Sequence, residues 1–273
     1  MLSRMPATSA ATPSEPARPN LLTLASIGAI TCMAADMAHE AIGHGIASWL
    51  TGDRLLLLST VATQNASPNR AVSAAGTTAD VTLGIVALLL LRRARKLTPF
   101  AYFLWIFAAF CLLNSGYLVV SAITNNSDWA NVIAGLSPLW FWRCLLGLIG
   151  AIFYFFSIRW IASFLIDWVN RAELARSDVW RFVWPAYFAG GTVMTLASVF
   201  NPISPALILL SGAGASFGLN CGLLFLPGIV ANHARSQTVL ACPISFRLLW
   251  IALAIVTSGI FIAVLGPGIH FPR

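Results

Sequence analysis

Charge is what this sequence has least of. Only 9% of its 273 residues are charged and 58% are hydrophobic, against about 25% charged in an ordinary soluble domain. A water-soluble fold of this size is excluded, and so is a disordered chain, which needs low hydrophobicity and high charge. Lysine is nearly missing: Lys96 stands beside fifteen arginines. No basic stripe interleaved with aromatics accompanies the net charge of +7, so nucleic acid is not an expected partner. The five cysteines are an odd number without close pairs, which excludes a disulfide-stapled module. Cys32, Cys111, Cys144 and Cys221 lie inside apolar runs, where cysteine is a small hydrophobe. What these shortages leave is a polytopic membrane protein, an all-α transmembrane bundle.

A bilayer-spanning helix needs about 20 mostly apolar residues. Seven segments qualify: 21–50, 72–91, 99–123, 139–166, 179–200, 206–230 and 245–266. Residues 1–20, rich in Pro, Ala and Thr, read as a flexible tail, and residues 21–273 as one membrane domain. Tryptophans such as Trp49, Trp140, Trp168 and Trp184 fall near span ends, as an interfacial belt requires. Arg92, Arg93, Arg95 and Lys96 follow the second span, Arg171, Arg176 and Arg181 the fourth, and Arg235 the sixth. The positive-inside rule makes those connections cytoplasmic, with the N-terminus inside and the C-terminus outside. The run 55–64 after the first span is too short to cross and ends in alternating β-branched and polar residues, which predicts a short strand or hairpin against the membrane.

An ionisable side chain inside a membrane helix is a functional hypothesis by default. The first span carries four within nine residues: Asp36, His39, Glu40 and His44. Two imidazoles with an adjacent carboxylate on one helix form the zincin arrangement. There the histidines bind Zn²⁺ and the glutamate takes a proton from water that the ion acidifies to a pKa of about 7. The usual motif is H-E-x-x-H; here the histidines are five apart. On a regular helix that separates them by about 140°, too wide for one ion. A π-bulge absorbs one extra residue, and Gly43 and Gly45 make such a distortion cheaper. The other geometry uses Glu40 and His44, four apart, as the ligands.

From His39-Glu40 through His44-Gly45, the 55–64 run, Ala74-Ala75-Gly76-Thr77-Thr78-Ala79-Asp80, and the span with Asn114 that leads to Asp128-Trp129, the chain resembles the site-2 protease-like intramembrane zinc metalloproteases. The resemblance covers residues 34–129 and implies a metalloprotease-like core over 21–137, with additional spans over 138–273. It departs from the family pattern in the histidine spacing, in Thr77 and Asp80 for a proline and an asparagine, and in lacking an Asp-Gly pair. It implies Glu40 as catalytic base, His39 and His44 as zinc ligands, one ion per chain, and Asp128 as third ligand by order of elements. Asp80 is the alternative third ligand by depth in the membrane. Asn114 then corresponds to the family's substrate-binding asparagine, with a plain helix–helix hydrogen bond as the other reading, while Asp36 is a candidate to orient a histidine. For Asp128 an N-cap remains the alternative.

The function so implied is a multi-pass zinc metallopeptidase of the bacterial cytoplasmic membrane, cleaving membrane-anchored proteins in or near the lipid bilayer. Two other readings stay open. One is a proton- or ion-coupled transporter that uses Asp36, Glu40 and Asp80 as a relay, and the other an inactive pseudoprotease. The family is expected to open its site toward the cytoplasm, whereas charge bias places the His39–His44 end of the first span outside.

Overall fold

The computed structural model describes residues 18–67, 69–94, 96–235 and 242–272. Most of the expected tail, and Arg95, lie outside them. Helix α1 (Leu21–Thr51) begins where the Asn20 side chain accepts from the Thr23 N–H at 2.9 Å, and it ends at Gly52, whose φ is +70°. Helix α2 (Arg70–Arg93) is capped by Asn69, and α3 (Pro99–Thr124) by Thr98 with Pro99 in its first turn. There follow a short helix α4 (Asp128–Ile133), then α5 (Leu139–Asn170), α6 (Val179–Ser198), α7 (Ile208–His233) and α8 (Leu248–Leu265).

Six of these, α1, α2, α3, α5, α7 and α8, are long and apolar enough to cross a membrane. The outer faces of α5 and α8 carry exposed Phe155, Phe156, Leu249 and Ile255. Helices apolar on the outside as well as the inside belong in lipid. The protein is a multi-pass integral membrane protein.

Helix α3 is the hub. Tyr102, Trp105 and Phe110 are almost wholly buried, and the first two spend their polar atoms on neighbours: Tyr102 Oη donates to the Phe182 carbonyl at 2.9 Å and Trp105 Nε1 to that of Ile161 at 3.1 Å. Helices α1 and α6 meet through small residues, because a Cβ on Gly28 would stand 2.2 Å from the Ala186 Cα. Lipid gives no hydrophobic drive for helix pairing, so such close packing is what holds a bundle together.

The expected strand segment is a hairpin, β1 (Leu55–Leu58) and β2 (Thr63–Asn65), joined by β3 (Ile269–His270) in the order β2-β1-β3. Leu57 pairs with His270 and Leu58 with Ile269. The connection after α1 and the segment after α8 therefore share one side of the membrane. An even number of crossings must separate them, and α2, α3, α5, α7 and α8 make only five. Helix α6 supplies the sixth. Its 20 residues reach about 30 Å, the thickness of the hydrocarbon layer, and Gly190, Gly191 and Ser198, which dilute its apolar content, are buried in the bundle. Counted with α1, there are seven crossings, the number read from the sequence.

The opposite end is basic. The Arg235 N–H donates to Asn170 Oδ1 at 2.9 Å, the Leu97 N–H to Glu173 Oε2, and Arg176 to the Ala231 carbonyl. These contacts gather the connections after α2, α5 and α7 at the N-terminal end of α1, away from the sheet. In sealed vesicles, an epitope tag inserted at Ser67 and one at the C-terminus should be reached by antibody from the same face, and an N-terminal tag from the other. Terminal tags on a common face would refute the seven-crossing topology.

Candidate metal centre

Between Ala38 and Gly45, α1 is a π-helix. Hydrogen bonds from i to i+5 widen the turn beyond that of an α-helix, which brings His39 and His44, five apart, onto one face. Their ring centroids are 4.9 Å apart with planes at 78°. Helix α2 runs against this segment with no side chain between: a Cβ on Gly43 would come 2.5 Å from the Gly76 Cα. Gly76 faces the imidazoles in turn. A Cβ there would stand 2.5 Å from His44 Nε2 and 2.6 Å from His39 Nε2.

Each imidazole is oriented from behind. His39 Nδ1 lies 2.7 Å from Asp80 Oδ2, and His44 Nδ1 lies 2.7 Å from the Val72 carbonyl oxygen. A carbonyl can only accept, so His44 carries its proton on Nδ1 and its Nε2 offers a lone pair; a carboxylate at His39 Nδ1 favours the same tautomer. Asp128 completes the group. Its Oδ2 is 3.2 Å from His39 Nε2 and 3.4 Å from His44 Nε2, and one ligand atom from each residue lies within 4.8 Å of the others.

These distances fit a metal ion. Ligand atoms on a tetrahedron with bonds of about 2.0–2.1 Å sit about 3.3 Å apart, close to both Asp128 separations. Three acceptors turned toward one another need a cation among them, either a metal ion or protons on the imidazoles. Two imidazoles and one carboxylate suit a first-row divalent ion. The group His39, His44 and Asp128 could therefore hold a metal ion.

Asp128 is set by the turn before it. Ser127 has φ of +80° and occupies the N-cap position, which leaves Asp128 as the first residue of α4 with its carboxylate turned to the histidines. Trp129 Nε1 donates to Thr77 Oγ1 at 3.1 Å, and Arg70 donates to the Ala134 carbonyl at 2.5 Å, so α4 is tied to α2 at both ends. Where protons on the two Nε2 atoms, and not a metal ion, supply the cation, burial pushes the Asp128 carboxyl up, but the hydrogen bonds and positive charge of His39 and His44 outweigh it and hold the group well below the usual carboxylate range.

Glu40 is buried beside the ligands, and the Thr63 hydroxyl at the start of β2 donates to its Oε2 at 2.7 Å. Its carboxylate borders a cavity of about 240 Å³ together with His39, His44, Tyr117 and Asp128. Asp80 is fully buried on the Nδ1 side of the His39 ring, away from the ligand atoms, so it orients a histidine, the role considered for Asp36 in the sequence. Asn114 Nδ2 donates to Asp80 Oδ2 at 3.0 Å, which makes it a helix–helix hydrogen bond supporting that carboxylate. Asp36 Oδ2 is buried without a hydrogen-bond partner among the described residues, and Asp36 lines, with Glu40, a second chamber of about 30 Å³. Arg143 donates to the Ala122 and Ile123 carbonyls, both at 2.7 Å, closing the end of α3.

Sequence reasoning passed over Thr63, Val72 and Tyr117, and took Gly76 only as part of a stretch. A backbone carbonyl such as that of Val72 leaves no trace in a sequence. Tyr117 does leave one, as the tyrosine three residues after Asn114 on the same helix. Comparison of the chain with family models, with curated proteins and with solved structures returns no match.

Two substitutions probe this geometry. Gly76→Ala places a methyl group inside contact distance of both Nε2 atoms, so metal content of the purified protein should fall to background while the helical circular dichroism is retained. Asp80→Asn should weaken metal affinity by about 10–100-fold, the usual effect of losing such a supporting carboxylate. Unchanged affinity in both variants would show that the ion is held elsewhere.

Proposed function

We propose that this protein is a multi-pass membrane zinc metallopeptidase, similar to the site-2 protease-like family, that cuts membrane-anchored proteins within or near the bilayer. The observation that carries the reading is the convergence of His39, His44 and Asp128, across a histidine spacing that a regular helix would keep apart, next to the buried carboxylate of Glu40.

When bound, a zinc ion supplies Lewis acidity, polarising a peptide carbonyl and lowering the pKa of water. The chain's own residues do the rest. Glu40 takes a proton from water as the water oxygen bonds to the carbonyl carbon of the scissile peptide. The C–N bond then breaks, and Glu40 returns that proton to the departing nitrogen. Thr63, by donating to Oε2, leaves Oε1 as the oxygen that moves the proton. The cavity is walled by Leu210 and Ser211 of α7 on one side and by β2 near Glu40 on the other. Among the described residues β2 pairs only with β1, so its outer edge can accept an extended peptide as a further strand. Because the site lies at the end opposite the basic connections, the positive-inside rule has it open to the outer side of the membrane.

Purified protein should contain close to one zinc per chain and lose it on His39→Ala or His44→Ala. Glu40→Gln should keep the zinc and lose cleavage by about 10²–10⁴-fold. A metal-free parent at neutral pH, or a Glu40→Gln variant that cleaves like the parent, would overturn the reading. Proton-coupled flux lost in Glu40→Gln would favour a transporter instead.

A further inference from the structure

We propose that the hydroxyl of Tyr117 is a catalytic hydrogen-bond donor to the carbonyl oxygen of the peptide bond being cut; the inference rests on the metallopeptidase reading above. The chain has four tyrosines. Three give their hydroxyl to a backbone carbonyl: Tyr102 to Phe182 at 2.9 Å, Tyr154 to Leu219 at 2.5 Å and Tyr187 to Phe217 at 3.0 Å. That is what a hydroxyl inside a membrane bundle requires, since no bulk water is there to satisfy it. Tyr117 differs, because its hydroxyl has no hydrogen-bond partner among the described residues.

Its place explains the exception. The Tyr117 ring packs on the imidazole of His39, with centroids 5.2 Å apart and planes at 34°. It borders the 240 Å³ cavity with Glu40, His44 and Asp128, and also the small chamber lined by Asp36 and Glu40. A break in α3 puts it there. The Tyr117 and Leu118 N–H groups bond back to the Asn114 and Ser115 carbonyls at 3.0 and 3.1 Å, three residues away rather than four. The same tight turn sends Asn114 to Asp80, so one distortion positions both the support of His39 and the phenol beside it.

Hydrolysis needs a donor at this point. As the water oxygen bonds to the carbonyl carbon, the π electrons of the C=O bond move onto oxygen, and a donor aimed there in advance stabilises that charge. The polar groups that hold or orient the imidazoles and Glu40 are otherwise engaged. Each Nδ1 of the two histidines is spent on Asp80 or Val72, Glu40 and Asp128 are acceptors, and the Thr63 hydroxyl is spent on Glu40. Tyr117 keeps a free O–H against a ligand imidazole. It donates a hydrogen bond without giving up its proton, so the charge returns to the carbonyl when the C–N bond breaks.

Tyr117→Phe keeps the ring and removes only the hydroxyl. Zinc-loaded parent and variant should hold equal metal and unfold at the same temperature, because the hydroxyl supports nothing in the protein. Benzohydroxamate, whose carbonyl oxygen stands in for the reacting one, should bind the variant about tenfold more weakly in calorimetry, the worth of one hydrogen bond. With β-casein as a general unfolded substrate, kcat should fall about a hundredfold with KM unchanged. Equal benzohydroxamate affinity in the two proteins would overturn the role of Tyr117. If Glu40→Gln is inactive in the same assays, the metallopeptidase reading survives that result. A parent that binds no zinc overturns both.

Discussion

The contact of Gly43 with Gly76 is the constraint on which the site depends. Two helices can approach this closely only where neither has a side chain, and the approach does two things together. It brings the Val72 carbonyl within reach of His44 and the Asp80 carboxylate within reach of His39, so that one neighbouring helix orients both rings. It also leaves beside Gly76 the space into which both Nε2 atoms point. The π-helical segment is the counterpart on α1. It costs regular hydrogen bonding over eight residues, and its return is that two histidines five apart face one point.

Charge is the second thread. An ionised side chain in a membrane helix costs about 2.5–3.5 kcal/mol on insertion scales, and here two imidazoles and the carboxylates of Asp36, Glu40 and Asp80 lie within spans, with Asp128 just outside. Each except Asp36 is tied to a specific partner: Asp80 to His39 and Asn114, Glu40 to Thr63, Asp128 to both imidazoles. A cluster holding more acid than base is stable in such surroundings if cations or protons join it. A divalent ion between His39, His44 and Asp128 answers that need, as well as supplying the chemistry proposed for it.

Much of this was legible in the sequence, and what was not has a physical cause. Low charge and long apolar runs gave the bundle, because lipid admits few other structures. The histidine spacing, read against 3.6 residues per turn, calls for a π-bulge if both rings are to meet, and Gly43 and Gly45 mark where it falls. Asp80 and Asp128 were both visible as acids at a comparable depth. Which of them faces the Nε2 atoms depends on helix rotation and on the turn at Ser127, neither of which follows from composition. Tyr117 left only its spacing from Asn114 as a trace, because a tyrosine in an apolar span looks like core until the partners of its hydroxyl are traced.

The sheet joins the two halves of the chain beside the site. Helix α8 presents mostly lipid-facing side chains, yet its end is fixed to the hairpin after α1. The Thr60 N–H donates to the Leu265 carbonyl at 3.1 Å and the Phe271 N–H to that of Leu56 at 3.0 Å. Gly268, with φ of +83°, makes the turn that allows it, since a Cβ there would meet the Leu57 side chain at 2.6 Å. With β3 in place, one flank of β1 is closed, and a strand entering from outside has the free flank of β2 left to it. That flank begins at Thr63, the residue whose hydroxyl orients Glu40. Under the proposed function, an extended segment added to β2 would thus run beside the carboxylate proposed to move the proton, with β3 after α8, remote in sequence from His39, His44 and Asp128, closing the other flank of the sheet.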